Sequence, residues 1–118
     1  MRPQPDGNVK PLRHIIIVRE DLPLGIAAAN IAHAAGESCE GPLPTGTYAI
    51  VLGVRNEDHL LEKAQLLWDG QVPHKIINEP DEPYDGEAMA IGIWPTRDVE
   101  DLRRFTSDLP LFGKRRKT

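Results

Sequence analysis

The apolar and polar positions of this chain divide it into seven predicted elements. Four short runs rich in Ile, Val, Leu and Ala have the composition and length of strands. Three longer segments carry apolar side chains three or four positions apart, which is the spacing of a helix. The chain is therefore predicted to follow the order β-α-β-α-β-β-α. The strands are predicted at 13–19, 47–54, 72–78 and 88–94.

Residues typical of helix ends bound the three predicted helices. The first helix is rich in alanine and is predicted to end near Gly36. Asn56 is the predicted N-cap of the second helix, which Gly70 closes. Thr96 is the predicted N-cap of the last helix, which Pro110 ends.

These elements predict a three-layer α/β/α domain with a small four-stranded mixed sheet. The first strand is apolar on both faces, as expected for a central strand that helices cover on each side. Alternating strands and helices favour a sheet with helices packed in layers. The third and fourth strands follow each other directly, joined by the acidic loop 79–87, so we expect them to pair antiparallel.

The length of 118 residues fits one domain with a single core. Residues 13–112 are predicted to form this domain. Residues 1–12 contain three prolines and a glycine without any periodicity, so we expect a flexible leader there. Residues 113–118 are predicted to be a basic tail.

The charge bears on possible nucleic-acid contact, and the cysteine content and apolar runs bear on the cellular compartment. The net charge is −4, and most of the positive charge that could meet phosphate lies in the basic tail. The single cysteine, Cys39, cannot form an internal disulfide, which agrees with a reducing compartment. No apolar run approaches the ~20 residues of a membrane span. We therefore expect a cytoplasmic protein without a membrane partner.

The segment that follows the first strand carries the most specific motif. It reads Val18-Arg19-x-Asp21-Leu22, then Gly25, then Ala28-Ala29-Asn30-x-x-His33-Ala34. This order resembles the signature of the peptidyl-tRNA hydrolase 2 family, V-R-x-D-L-x-M-x-x-G-K-x-A-A-Q-x-x-H-A. The likeness continues to the final Leu109-x-Leu111-Phe112 and so covers about the whole folded region.

The chain departs from the family's pattern at three places. Ile26 stands where the family has lysine, in a shorter loop. Asn30 stands where the family has glutamine. The segment Glu79-Pro80-Asp81-Glu82-Pro83 stands where the family has Asp-Ala-Gly-x-Thr, so the threonine hydroxyl is missing.

The resemblance implies an enzyme that hydrolyses the ester between a peptidyl or acyl group and tRNA. This reaction needs a positioned water, a proton acceptor and donors for the oxyanion. Nucleotide-binding glycine motifs and zinc-ligand spacings are absent from the sequence, so we predict neither a cofactor nor a metal. By their places in the motif, the implied catalytic residues are His33, Glu79 and Asp81, and the implied substrate-binding residues are Arg19, Asp21 and Asn30.

Helical spacing places Asn30 and His33 on one face, and we expect both to converge with Glu79 on one cleft. Other interpretations stay open for these residues. His33 could be an ordinary helix histidine, and Arg19 with Asp21 could form a structural ion pair that braces the loop. The acidic loop could take a divalent cation through its carboxylates, although it has no EF-hand pattern.

A binding module is the alternative function. The missing lysine and threonine, together with the acidic loop 79–87, fit a diverged member of the same fold that binds a small ligand or a protein in the same cleft. Under the hydrolase function, peptidyl-tRNA is one predicted partner. A second copy of the chain is another, because the small residues of the first helix and the exposed edge of a four-stranded sheet leave surfaces that can pair.

Overall fold

The structure, a computed structural model, describes residues 10–114 and contains the predicted order of elements. Most of the predicted leader and residues 115–118 of the predicted tail lie outside this range. No helix within the described range is long and apolar enough to cross a membrane. The elements are β1 (Arg13–Arg19), α1 (Leu24–Glu37), β2 (Tyr48–Val54), α2 (Glu57–Asp69), β3 (His74–Glu79), β4 (Glu87–Ile93) and α3 (Val99–Thr106).

The four strands form one mixed sheet, as predicted, and their order within it is β2-β1-β4-β3. β1 runs parallel to β2, with Ile17 opposite Leu52, and antiparallel to β4, with Ile17 opposite Ile91. β3 is antiparallel to β4. β1, β2 and β3 therefore run in one direction, and their carboxyl ends meet the start of β4 at one edge. We call this end of the sheet the carboxyl edge.

Helices cover both faces of the sheet, which confirms the predicted three layers. Side chains of β1 and β4 alternate between the two faces, so both strands are continuous apolar runs in the sequence. α1 packs on one face, over Ile16, Val18 and Ala90. The other face buries a larger cluster beneath α2 and α3, which includes Ile17, Val54, Leu60, Leu67, Ile91, Leu102 and Phe105.

The two outer strands of the sheet are protected differently. The last described residues run along β2, where the Gly53 N–H donates to the Pro110 carbonyl oxygen at 2.9 Å. The Phe112 N–H donates to the Val51 carbonyl oxygen at 2.8 Å. β3 has no comparable cover within residues 10–114. The outer strand β2 is therefore covered by the chain itself, whereas the outer strand β3 is open among the described residues.

The ends of α1 and α2 follow from local side-chain chemistry. Asn56 caps α2 as predicted, because its side chain accepts a hydrogen bond from the His59 N–H at 3.0 Å. α1 passes through Gly36 and ends one residue later. Ser38 follows the helix, and its hydroxyl donates to the Ala34 carbonyl oxygen at 2.6 Å.

The predicted N-cap of the last helix is wrong. α3 begins at Val99, and the residue before it is Asp98. Thr96 accepts a hydrogen bond from the Asp98 N–H through its hydroxyl, at 3.0 Å. The Thr96 backbone is extended instead, because it exchanges two hydrogen bonds with Arg13 at the start of β1, at 2.9 and 3.0 Å.

Gly92 lies where α1 comes closest to the sheet. A Cβ atom at this position would collide with the Ala34 carbonyl oxygen and the Ser38 side chain. We expect Gly92→Ala to lower the free energy of unfolding by roughly 1–3 kcal/mol, the usual cost of overpacking. Gly36→Ala is the matched control, because open space surrounds Gly36 and alanine favours a helix by about 0.5–1 kcal/mol. Urea unfolding measures both variants, and equal losses would contradict the close approach at Gly92.

Candidate functional site

Four of the six predicted site residues lie at the carboxyl edge. Arg19 is the last residue of β1, and Asp21 follows it in the loop to α1. Glu79 is the last residue of β3, and Asp81 follows it in the turn to β4. Since β1 and β3 run in the same direction, both pairs emerge at the same end of the sheet.

Arg19 is buried and makes four hydrogen bonds at the carboxyl edge. Its Nε and Nη2 donate to the two carboxylate oxygens of Asp21 at 2.9 and 3.0 Å. Its Nη1 donates to Glu87 Oε1 at 2.7 Å and to the Ala88 carbonyl oxygen at 3.1 Å. The hydrogen bond from Arg19 lowers the pKa of Asp21, and the same bond raises the pKa of Arg19 despite burial. Arg19 and Asp21 thus form the structural ion pair considered above, which joins the loop before α1 to β4.

Glu79 and Asp81 are engaged in the turn between β3 and β4. Glu79 Oε1 accepts a hydrogen bond from the Asp81 N–H at 3.1 Å, and the Glu79 carbonyl oxygen accepts one from the Gly86 N–H at 2.7 Å. The Asp81 carbonyl oxygen accepts from the N–H groups of Tyr84 and Asp85 at 3.0 and 3.1 Å. The acidic loop is therefore a turn closed by its own hydrogen bonds, and the side chains of Asp81 and Asp85 are exposed.

Acidic side chains outnumber basic ones around this edge. Glu57, at the start of α2, accepts a hydrogen bond from the Ala88 N–H through Oε2 at 2.8 Å. The edge is therefore acidic, and its buried cation is already paired. The carboxylates include those of Asp21, Glu57, Glu79, Asp81 and Glu87, and the guanidinium groups include those of Arg19 and Arg55.

Asn30 and His33 do not join this cluster, so the predicted convergence with Glu79 is wrong. Asn30 is 3% exposed, and its Nδ2 donates to the Ile26 carbonyl oxygen one turn earlier in α1, at 2.9 Å. The Asn30 side-chain amide therefore donates its hydrogen bond within α1. His33 is exposed to solvent. The two side chains consequently do not form one accessible face.

The direction of α1 explains where His33 lies. α1 returns along the sheet from the carboxyl edge, and His33 is about 14 Å from the helix start at ~1.5 Å per residue. The adjacent Ala34 lies against Gly92. Gly92 is roughly 17 Å along β4 from Glu87, at ~3.3 Å per residue. His33 and Glu79 therefore lie near opposite ends of the sheet.

An open groove lies away from the cluster around Arg19. It lies along β3 and has a volume of about 690 Å³. Trp68, Val72, His74, Lys75 and Ile76 contribute to its lining, and none of the six predicted site residues does. Among residues 10–114, no three His, Cys, Asp or Glu side chains are placed to hold a metal ion.

Ser38 and His14 form a buried pair that no sequence pattern predicted. The Ser38 hydroxyl donates to the Ala34 carbonyl oxygen, so the His14 Nε2–H donates to Ser38 Oγ, at 2.7 Å. Ser38 is 0% exposed and His14 is 4% exposed, so the pair cannot meet a substrate. It ties the end of α1 to the start of β1. The two residues are 24 positions apart, and no local pattern predicts their contact.

Comparison with known proteins supports the fold and leaves the chemistry open. No protein-family model matches the chain, and no curated protein matches it. A solved structure of a protein of unknown function from Agrobacterium tumefaciens strain C58 is similar, with 12% identity and a TM-score of 0.54. The match covers 86% of this chain and 98% of that chain. At this identity the likeness shows a shared fold alone, and the resemblance to the peptidyl-tRNA hydrolase 2 family stays a prediction.

Removal of the buried cation should destabilise the carboxyl edge. Arg19→Met would leave Asp21 and Glu87 close together without their cation, so we expect the free energy of unfolding to fall by roughly 2–4 kcal/mol. The loss should be smaller than for a fully buried ion pair, because both carboxylates are partly exposed and solvent screens them. Arg55→Met, which removes an exposed arginine at the same edge, should change it by less than about 0.5 kcal/mol. Denaturant unfolding at pH 7 measures both values.

The pH dependence of the Arg19→Met effect provides a second readout. Asp21 has a lowered pKa in the folded chain, so its contribution is present above its ordinary value of 3.8 and is lost as the pH falls through the lowered value. The difference between the wild type and Arg19→Met should therefore shrink below about pH 4. A difference that stays constant down to pH 2 would show that the ion pair is not its cause.

The buried imidazole of His14 should make stability fall in mild acid. Burial lowers the pKa of His14 below 6.5, whereas the unfolded chain takes up this proton near 6.5. Stability should therefore decrease as the pH falls below 6.5, by at most about 1.4 kcal/mol per pH unit for this one group. His14→Gln should reduce the slope, and His59, whose pKa burial also lowers, contributes the remainder. His33→Gln should keep the full slope, because it leaves the buried pair of His14 and Ser38 in place. Urea unfolding between pH 7 and pH 5 compares them, and a wild-type slope in His14→Gln would contradict this account.

Proposed function

We propose that this protein is a catalytically diverged relative of the peptidyl-tRNA hydrolase 2 family that binds a small ligand or a protein partner at the carboxyl edge. The separation of His33 from Glu79 carries this proposal. Hydrolysis by the predicted arrangement requires an imidazole and a carboxylate to act on one water. With His33 near the other end of α1, Glu79 would have to activate water without it.

The charge of the carboxyl edge also supports a role other than tRNA hydrolysis. A tRNA ligand presents phosphate groups, and its binding depends on cations that displace counterions. Asp21, Glu79 and Glu87 are acidic, and the buried Arg19 is occupied by two of them. Where the family motif has lysine, this chain has the partly exposed Ile26. An ester on tRNA would therefore approach a repulsive surface.

Hydrolysis of peptidyl-tRNA is the second candidate, and one feature of α1 favours it. The helix begins after Pro23 at the carboxyl edge, and no side chain caps its first turn. Backbone N–H groups at such a helix start can stabilise a developing oxyanion. Glu79 and Asp81 lie at the same end of the sheet, in the loop that corresponds to the family's Asp-Ala-Gly-x-Thr. A carboxylate base and oxyanion donors are thus available without His33.

Release of tRNA from peptidyl-tRNA by the purified protein separates the two candidates. We expect the wild type, His33→Ala and Glu79→Gln to give the same background turnover. Glu82→Gln is the matched control, because it removes an exposed carboxylate from the turn that follows Glu79. Turnover above background that falls about 10²–10⁴-fold in Glu79→Gln and persists in Glu82→Gln would establish hydrolysis and overturn the proposal. We also expect no tRNA binding at low salt, where phosphate contacts are strongest.

We further propose that the protein acts in the cytoplasm as a homodimer. The single Cys39 supports a reducing compartment. Two surfaces support self-association. One is the outer face of α1, where Ala28, Ala29 and Ala32 are exposed, and the other is the open edge of β3.

A further inference from the structure

β3 presents one side of its backbone to solvent. It is the last strand of the sheet, and only β4 is beside it among residues 10–114. The Pro73 carbonyl oxygen accepts a hydrogen bond from the Trp94 N–H at 3.1 Å. The backbone groups of the odd-numbered residues Lys75 and Ile77 therefore also face β4. By the alternation of an antiparallel ladder, the backbone groups of His74, Ile76 and Asn78 point outwards. Such an edge can accept another strand.

The backbone of β3 is regular along its length, although its pairing with β4 shifts once. The shift in its pairing with β4 falls between Ile77, opposite Ala90, and Asn78, opposite Ala88. Met89 of β4 is thus the extra residue, and β3 itself contains no bulge. An outward-facing strand without a bulge is a suitable template for pairing. The contrast with β2 is direct, because β2 is covered by residues 110–112.

Apolar side chains lie beside the open edge on the α2 face. Trp68 is 74% exposed and Leu61 is 42% exposed. Both line a groove that also includes His74 and Ile76 of β3. A strand added to β3 would form a new wall of this groove and remove apolar surface from water.

We propose that a second copy of this chain pairs with this edge, so that the two β3 strands run antiparallel about a two-fold axis at Ile77. This inference rests on the homodimer proposed above and specifies its interface. In this register, Ile76 and Asn78 of each copy exchange backbone hydrogen bonds with Asn78 and Ile76 of the other. The two sheets then form one continuous sheet of eight strands. The outer face of α1 allows close approach but offers no comparable match of charge.

The charges of β3 select this register. Lys75 and Glu79 lie two positions on either side of Ile77, and all three side chains share the α1 face of the sheet. An axis at Ile77 therefore places each Lys75 opposite Glu79 of the second copy, which is a favourable cross-strand pair. An axis at Ile76 would place Lys75 opposite Ile77, and an axis at Lys75 would place the two lysines together. The strand is thus complementary to itself in one register.

Charge-reversal variants test the pairing. Lys75→Glu alone would place two glutamates opposite each other, and Glu79→Lys alone would place two lysines opposite each other. Each should raise the dimer dissociation constant by roughly tenfold or more. An equimolar mixture of the two variants should recover dimers, because each interface then pairs a glutamate with a lysine. Sedimentation equilibrium measures the constants, and native mass spectrometry of one isotope-labelled variant identifies the mixed dimer.

Backbone variants test the hydrogen bonds separately from the charges. Asn78→Pro removes the outward N–H of β3, and proline is tolerated on a free strand edge. It should weaken the dimer, whereas Asn78→Ala should not. Asn78→Ala is the matched control because both variants lose the side-chain hydrogen bond from Asn78 Nδ2 to the Gly86 carbonyl oxygen, and only the proline variant loses the N–H.

The outcomes distinguish this interface from the homodimer itself. A wild-type chain that stays monomeric at all concentrations would overturn both the homodimer and this interface. A wild-type dimer that is unaffected by the charge variants and by Asn78→Pro would overturn this interface and leave the homodimer proposal standing. Mixed dimers that form only from the two opposite single variants would support the stated register.

Discussion

The buried guanidinium of Arg19 is the constraint on which the carboxyl edge depends. Arg19 lies at the end of the central strand β1, and a cation in that position is tolerated only if charged partners and hydrogen bonds accompany it. Asp21 supplies one carboxylate from the loop before α1, and Glu87 supplies another from β4. The three segments are therefore held together by one side chain. Its charge is consequently unavailable to the phosphate of a ligand.

The same constraint contributes to the position of α1. The helix begins next to the loop that Arg19 holds, and at its other end Ser38 is bonded to His14 of β1. Between these points Gly92 allows the helix to lie close to the sheet. α1 is thus fixed at both ends along the sheet, with His33 towards the end farthest from Glu79. The separation of these two residues follows from the direction of the helix and does not require a special local structure.

Periodicity predicted the layers of this fold because each element carries its own pattern. The continuous apolar runs of β1 and β4 reflect burial on both faces, and Asn56 identified the start of α2 because its cap is local in sequence. The strand order could not be obtained in this way, since pairing between distant strands leaves no local pattern. Thr96 was misassigned for the same reason, because its extended backbone is set by its pairing with Arg13.

The candidate site was predicted less well than the fold because a shared motif does not fix where side chains point. The ion pair of Arg19 with Asp21 could be expected as an alternative to substrate binding, because the two residues are only two positions apart. The motif implied that Asn30 and His33 act together, but a spacing of three positions on a helix places one side chain in the core and the other in solvent here. The likeness to a structure with 12% identity supports the arrangement of elements and carries no information about these side chains.

Pairing of β3 between two copies would alter the chemistry of the carboxyl edge. Glu79 belongs both to this edge and to the strand proposed to pair, and Lys75 of the second copy would place an ammonium group beside its carboxylate. A single chain has Ile26 where the family motif has lysine, and Lys75 of the second copy would add a cation to this edge. The isolated chain is acidic at this edge, whereas Glu79 would be compensated in the proposed dimer. The electrostatic environment that a ligand meets would then depend on the oligomeric state, so activity has to be compared at concentrations above and below dimer formation.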